Sequence, residues 1–442
     1  MKWIKSKISD LIEEFERGIS YSSEEIKDNS GVPMMNLACI DKTGFYREGE
    51  LKFFSGNYSE ADKVYPNDML VACTDLTRNA DIIGTPILVP SGAEFYLYTM
   101  DLAKLTPKAN IDKMFLYYAL KTSTYRKYIK PWASGTTVLH LNLQGMYDYE
   151  LYYPEKIDDQ QKLAQILADI DSKISLNKQI NQNLEALAKQ LYDYWFVQFD
   201  FPDENGKPYK SSGGAMVYKE QLKREIPKGW EYFTTDKLTN VITGKEDANF
   251  SVPNGAYPFF TCSRENLRCA TPAFAGKAIL IAGNGDFNVK HYNGTFNAYQ
   301  RTYVLIPKDS KYYGVLYFAA LERIDLFKAK SNGSIIKFIT KGDVENIGVY
   351  DCHKPEIYKQ INTLIEAIET NECEIASLIK QRNELLPLLM NGQVNFDLLV
   401  RLLINPLEFG NVTSCNIVLL LTQIFAYVPK ILYLCSCKIL NL

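Results

Sequence analysis

Histidine is almost missing from this sequence: His140, His291 and His353 are the only three in 442 residues. That scarcity makes Ser-His-Asp and Cys-His nucleophilic arrangements poor prospects. It also leaves no histidine at zinc-ligand spacing from a cysteine pair, and no C-x-x-C pair occurs. The nine cysteines (Cys39, Cys73, Cys262, Cys269, Cys352, Cys373, Cys415, Cys435 and Cys437) are odd in number and irregularly spaced. In a chain this long they argue against a disulfide framework and for a reducing compartment. Phosphate loops are lacking too. Gly283-Asn284-Gly285-Asp286 is not followed by Gly-Lys-Ser/Thr and lacks the third glycine of a dinucleotide fingerprint. Positive charge is in short supply, with a formal net charge of -3. A dedicated nucleic-acid binder is usually basic, although a local basic face is what matters. The start, Met1-Lys2-Trp3-Ile4-Lys5 followed by alternating charge, is not a signal peptide.

What the chain does have is a repetition. Ser134-Gly135-Thr136-Thr137-Val138 is followed by Pro154 and a long amphipathic segment. Asn332-Gly333-Ser334-Ile335-Ile336 is followed by Pro355 and a second one. Gly135 and Gly333 lie 198 residues apart, and Gln161 and Gln360 lie 199 apart, so register survives into the helix starts. Residues 1–155 read as short strands, turns and helix. Val32–Ile40, Asp68–Cys73 and Ile82–Val89 are strand candidates. Met114–Tyr128 is helical, with Leu116, Leu120, Tyr125 and Ile129 at helical intervals and Pro131 as the stop. Residues 200–229 carry breakers and form a linker. Residues 230–354 repeat the mixed pattern. Tyr257–Phe260, Ala278–Ile281 and Arg301–Pro307 are predicted strands, and Tyr312–Leu326 matches the earlier helix. Thirty Tyr and twenty-two Phe crowd these segments, as strand fillers or as surface anchors.

The first long helix, within 156–199, sets Leu163, Leu167, Ile170, Ile174, Asn177, Asn181, Leu184, Ala188, Leu191 and Trp195 at alternating steps of four and three. This is a coiled-coil seam with a polar middle, spanning roughly 55 Å at about 1.5 Å per residue. The second, within 355–396, has Ile361, Ile365, Ile368, Glu372, Ile375, Ile379, Arg382, Leu386 and Leu389. A lone helix of this kind does not persist exposed. The intact domain between the two favours their pairing antiparallel. The predicted class is therefore α+β: two pseudo-symmetric mixed α/β domains joined by a pair of long antiparallel coiled-coil helices.

Candidate contacts come in clusters. Lys121, Arg126, Lys127 and Lys130, among Tyr125, Tyr128 and Trp132, form either a backbone-tracking stretch or a solvated helix face. Arg78 and Asn79 sit in a base-reading loop or a plain turn. Arg264, Glu265, Asn266 and Arg268 lie between two strand runs and suit base contacts. Lys290, His291, Gln300 and Arg301 are further candidates. Thr136, Thr137, Ser334 and Lys337 occupy matched places in the two copies, for phosphate contact or for packing on the coiled coil.

The doubled plan, the Ile226-Pro227-Lys228-Gly229-Trp230 opening, Asp159-Gln160-Gln161, Lys359-Gln360-Ile361 and the closing Leu385-Leu386-Pro387-Leu388-Leu389-Met390-Asn391-Gly392-Gln393-Val394 together resemble the specificity subunits of type I restriction-modification systems. The resemblance covers residues 1 to about 396. It implies two target recognition domains, each reading one half of a split sequence in double-stranded DNA. It implies that the long helices set the gap and dock two methyltransferase (modification) subunits, with restriction/translocase subunits joining for cleavage. The chain itself would be non-catalytic. S-adenosylmethionine, ATP and magnesium would be held by those partners, in the cytoplasm of a bacterium or archaeon, with no membrane involved. A two-lobed protein-binding scaffold without DNA specificity is the competing class, and a stand-alone nuclease or methyltransferase fragment is a third.

Residues 397–442 depart from the pattern. Phe409–Pro429 lacks charge, and its Asn, Ser, Thr and Gln make it a weak membrane signal. Asn405-Pro406-Leu407-Glu408-Phe409 is similar to an amino-methyltransferase tetrapeptide but lacks its second proline, and no function is assigned to it.

Overall fold

The computed structural model describes residues 1–393 except 28, 29, 42, 43, 48, 78, 221, 286 and 332–337. The apolar tail, Arg78, Ser334 and Lys337 lie outside the described residues. The chain divides into two compact units, residues 1–174 with 377 onward, and residues 175–376.

In the first unit Trp3–Lys7 pairs antiparallel with Glu150–Pro154. Helix α1 (Ile8–Leu11) turns the chain into a four-stranded sheet ordered Ile12–Arg17, Leu102–Pro107, Met69–Ala72, Pro86–Leu88. A second sheet of four strands contains Val32–Met35, which ends in a 3-10 turn at Leu37–Cys39 where a longer strand is predicted. The helix predicted at Met114–Tyr128 is two helices, α2 (Lys113–Ala119) and α3 (Ser123–Ile129). The break has a local cause: Thr122 Oγ1 accepts the Tyr125 amide and caps α3. Helix α4 (Leu143–Tyr147) follows, capped by Asn142. The strand Glu150–Pro154 then leads into α5 (Ile157–Tyr192), which finishes in a π turn at Asp193–Val197.

The second unit repeats this order. Glu231–Thr234 pairs with Gly348–Asp351, and α6 (Thr235–Leu238) leads into a six-stranded sheet. There Thr239–Thr243, Thr302–Pro307, Phe274–Ala282 and Val289–Ala298 succeed one another. Helices α7 (Tyr313–Ser331) and α8 (Lys341–Glu345, capped by Thr340) precede α9 (Pro355–Met390). The expected linker is built rather than loose. Met216–Lys219 and Arg224–Pro227 form a hairpin. Phe201 stacks on Trp195, Tyr209 and Trp230 with centroids 4.8, 4.7 and 5.1 Å away; stacked aromatics bury area that a solvated linker would leave wet.

The long helices are antiparallel in each unit. In the first, Leu163 and Leu167 share a core with Leu385 and Leu389, and Asp171 accepts from Arg382 at 2.9 Å. In the second, the Asn177 amide donates to Glu374 at 2.9 Å, Asn371 donates to Asn181 at 2.9 Å, and Ala188 shares a core with Ile361 and Ile365. The polar middle is thus a run of cross-helix hydrogen bonds that fixes register. Leu163, Leu167, Ile174, Ile361, Ile365 and Ile368 are buried as predicted. Ile170, Leu184, Leu191, Ile375, Ile379 and Leu386 are half-buried; Arg382 and Leu389 of the predicted seam are buried, and Leu378 and Leu385, from outside it, are buried with them. The stripe is wider than a two-helix seam because each half-helix also packs on its own mixed domain.

Equivalent tethers hold the helix starts. Buried Gln160 accepts the Asp112 amide and donates to Asn110 and Pro154 carbonyls. In the repeat two residues share this work. Tyr358 contacts Asp351 and the Cys352 amide, and Asn362 accepts the Gly314 amide and donates to Ser310 and Lys311 carbonyls.

Burial alone would raise the Asp351 carboxyl. Hydrogen bonds from Tyr312, the His353 amide, Tyr358 and Lys311 outweigh it and hold its pKa down to about 2. A folded-state value below the usual one means the carboxylate stabilises the fold above about pH 4, and that this contribution is lost as pH falls through about 2. Asp351→Asn is expected to lower the urea midpoint at neutral pH and to flatten the acid limb in that window. Parallel limbs for the two proteins would rule this out.

Candidate nucleic-acid interface

In the first unit, a small sheet brings distant residues to one place. Thr74–Asp75 pairs with Leu139–Leu141, which pairs with Ala133–Ser134. Because Leu139 faces Asp75 in an antiparallel pair, the loop leaving Asp75 and the hairpin entering Leu139 emerge at the same end. The hairpin turns at Gly135, whose φ is +129°. A side chain there would strike the Val138 carbonyl at 2.1 Å. Thr136 and Thr137 are exposed at its tip, and Asn79 is exposed on the neighbouring loop.

The basic helix beside them is mostly occupied. Lys121 turns inward: its Nζ donates to the Gly44 carbonyl at 2.5 Å and sits 3.5 Å from the Phe45 ring centroid and 4.4 Å from that of Tyr117. Burial pulls its pKa down to about 7. Arg126 also turns inward, donating to the carbonyls of Ile83, Ala80 and Asp81. Lys127 and Lys130 remain exposed, Lys130 3.8 Å from Asp81.

In the second unit the loop after Phe260 is pinned from beneath. Lys290 donates to the Ser263 carbonyl and to Asn266 Oδ1, each at 2.7 Å, and Asn288 donates to the Cys262 carbonyl at 2.9 Å. Burial draws Lys290 down to about 8. Arg268 spans to the Gly255 and Ala256 carbonyls at 2.9 and 2.8 Å, closing a turn. His291 is turned inward as well. Its Nδ1 lies 3.0 Å from Glu369 Oε1 on α9, and its ring packs edge-on against Tyr317. Gln300 and Arg301 are exposed in the turn before Thr302–Pro307. Arg264 is exposed and lines an open cavity of about 350 Å³ with Lys290, Glu185, Asp325, Tyr317 and Phe287. Carboxylates on the same walls offset its cations, so the cavity is not by itself an anion pocket. Among the described residues no cluster of His, Cys, Asp and Glu could hold a metal ion, and no helix is long and apolar enough to cross a membrane.

Residues 1–186 and 227–381 match the family described as type I restriction modification DNA specificity domain. The chain belongs to that family.

Among its relatives is the type I restriction enzyme EcoDI specificity subunit of Escherichia coli, 36% identical over 177 residues. That match covers 38% of this chain and only 40% of the relative's length. The MjaIX specificity subunit of Methanocaldococcus jannaschii is 25% identical over 323 residues, 66% of this chain and 72% of that protein. The fold is also that of the type I restriction-modification S subunit from M. genitalium. There the TM-score is 0.54 at 17% identity, over 88% of this chain and 96% of the other.

Two features of this member of the specificity family emerge only from the structure. Asp75 organises the first loop, and Asp75-Leu76-Thr77 carries the local signal, an Asp accepting an amide two residues on. Asp171 and Glu369, 198 residues apart on α5 and α9, each accept a tyrosine hydroxyl, from Tyr118 and Tyr313. Their equivalence is visible only once the two helices are aligned.

Proposed function

We propose that this chain is the DNA-sequence specificity subunit of a type I restriction-modification complex. Each unit reads one half of a bipartite target in double-stranded DNA. The paired long helices set the gap and dock two modification subunits and the restriction/translocase subunits. S-adenosylmethionine is bound in the modification subunits, and ATP and magnesium in the motor; this chain contributes recognition and no catalytic group. One observation carries the reading: the same strand, short helix, sheet, capped helix and strand order leads twice into a long helix, and the two helices run antiparallel. A duplicated domain on such a scaffold suits a target with two separated halves. Base contacts specify and phosphate contacts position. Asn79, Lys127, Lys130, Thr136 and Thr137 in the first unit, and Arg264, Gln300 and Arg301 in the second, are exposed candidates for these tasks. The test is to produce the chain with its modification subunit in a host lacking other adenine methylation and to map methylated sites. A two-part motif with a constant gap is expected. Methylation at an undivided motif would overturn the reading.

A further inference from the structure

In the second unit Tyr257–Phe260 and Leu267–Cys269 pair antiparallel, and loop 261–266 is the turn between them. Its backbone is held from beneath. Asn288 donates to the Cys262 carbonyl at 2.9 Å, and Lys290 donates to the Ser263 carbonyl at 2.7 Å. It is also held from within. The Ser263 amide donates to Thr261 Oγ1 and the Glu265 amide to Ser263 Oγ, each at 3.3 Å. Ser263, Arg264, Glu265 and Asn266 are nonetheless exposed. A loop ordered before its partner arrives loses less freedom on binding.

One contact decides what this loop offers. Lys290 also donates to Asn266 at 2.7 Å. An ammonium has three donors and no acceptor, so the atom it meets is the amide oxygen. The Asn266 Nδ2 group, with its two N–H donors, has no partner among the described residues. An asparagine free to turn reads adenine bidentately, with oxygen and nitrogen together. Asn266 has its oxygen committed to Lys290 and offers a ligand its donors. The major-groove edge of guanine carries two acceptors, N7 and O6, and no donor, whereas adenine and cytosine show an amino group there. Guanine is the edge that a donor group fits. Arg264 and Glu265 offset one another, so loop 261–266 carries no net charge; phosphate tracking draws on an excess of cations.

We infer that loop 261–266 reads a guanine in the second unit's half of the target, with Asn266 Nδ2 as the donor. Lys290 is a positioning residue that fixes the sense of the amide. This rests on the DNA-specificity reading above and assigns the chemistry within it.

Methylation mapping of Asn266→Asp, produced with the modification subunit, tests it. The aspartate keeps the Lys290 contact as an ion pair and changes the outward group from donor to acceptor. The wild-type motif is expected to hold a guanine in one half. Asn266→Asp is expected to exchange it for a base with a groove amino group, adenine or cytosine, with a change in preference of about tenfold. The other half is expected to stay as it was. Lys290→Met releases the amide, and the same position is then expected to accept adenine beside guanine, a change that a merely structural role would not produce. For Asn266→Asp, an unchanged motif, a change in both halves, equal loss on every sequence, or a switched position that is not guanine in the wild-type motif would each overturn the assignment. A wild-type complex giving no two-part motif instead removes the underlying reading, so the two failures are distinct.

Discussion

Asp171→Ala is expected to destabilise the first unit by about 3–5 kcal/mol, the usual cost of removing one partner of a buried ion pair. Arg382 Nη1 donates to Asp171 at 2.9 Å, and the Arg382 side chain is only 6% exposed. Its guanidinium lies 3.6 Å from the Phe45 centroid, and the Lys121 ammonium covers the same ring. Asp171 is therefore the anion paired with a buried guanidinium in an apolar setting, and it also accepts the Tyr118 hydroxyl at 2.8 Å. Its removal strands Arg382. Urea unfolding at neutral pH measures the loss. Asp171→Leu combined with Arg382→Met removes both charges and is expected to recover most of it, since the attraction of such a pair is largely offset by its desolvation. A loss under 1 kcal/mol for Asp171→Ala would show that solvent reaches the pair and screens it.

Adding one heptad to both long helices at facing positions, beside Asn177 in α5 and Glu374 in α9, is expected to lengthen the methylated motif's gap by about three base pairs. A heptad adds roughly 10 Å of helix at about 1.5 Å per residue, and duplex DNA rises about 3.4 Å per base pair. The bases read in either half are expected to stay as they were. A heptad in one helix alone puts the Asn177–Glu374 and Asn181–Asn371 hydrogen bonds out of register, and methylation is expected to fail. An unchanged gap after the paired insertion would refute the helices as the spacer.

Strand Met69–Ala72 is legible as a short unbroken apolar run beside a turn residue, the α7 helix as the repeat of the earlier helical segment, and both long helices by apolar steps of three and four. The break at Thr122 carried a signal of its own, a capping threonine inside a helical pattern, but the apolar period across it masked the cap. Thr136 and Thr137 stand out in the sequence through the duplication and Asn79 through its loop setting, and all three are exposed.

By itself, then, the sequence determined the duplication, the α+β class and the two long apolar seams, since repeats and periodicity are properties of order along the chain. Only the tertiary structure decided what the cations do. Lys121 meets Gly44, Arg126 meets Ile83, and His291 meets Glu369, partners 77, 43 and 78 residues away. A basic side chain beside aromatics looks the same in sequence whether it faces a phosphate or a carbonyl of its own protein. Desolvation and the nearest acceptor settle the matter, and both are set by which distant loop folds against it.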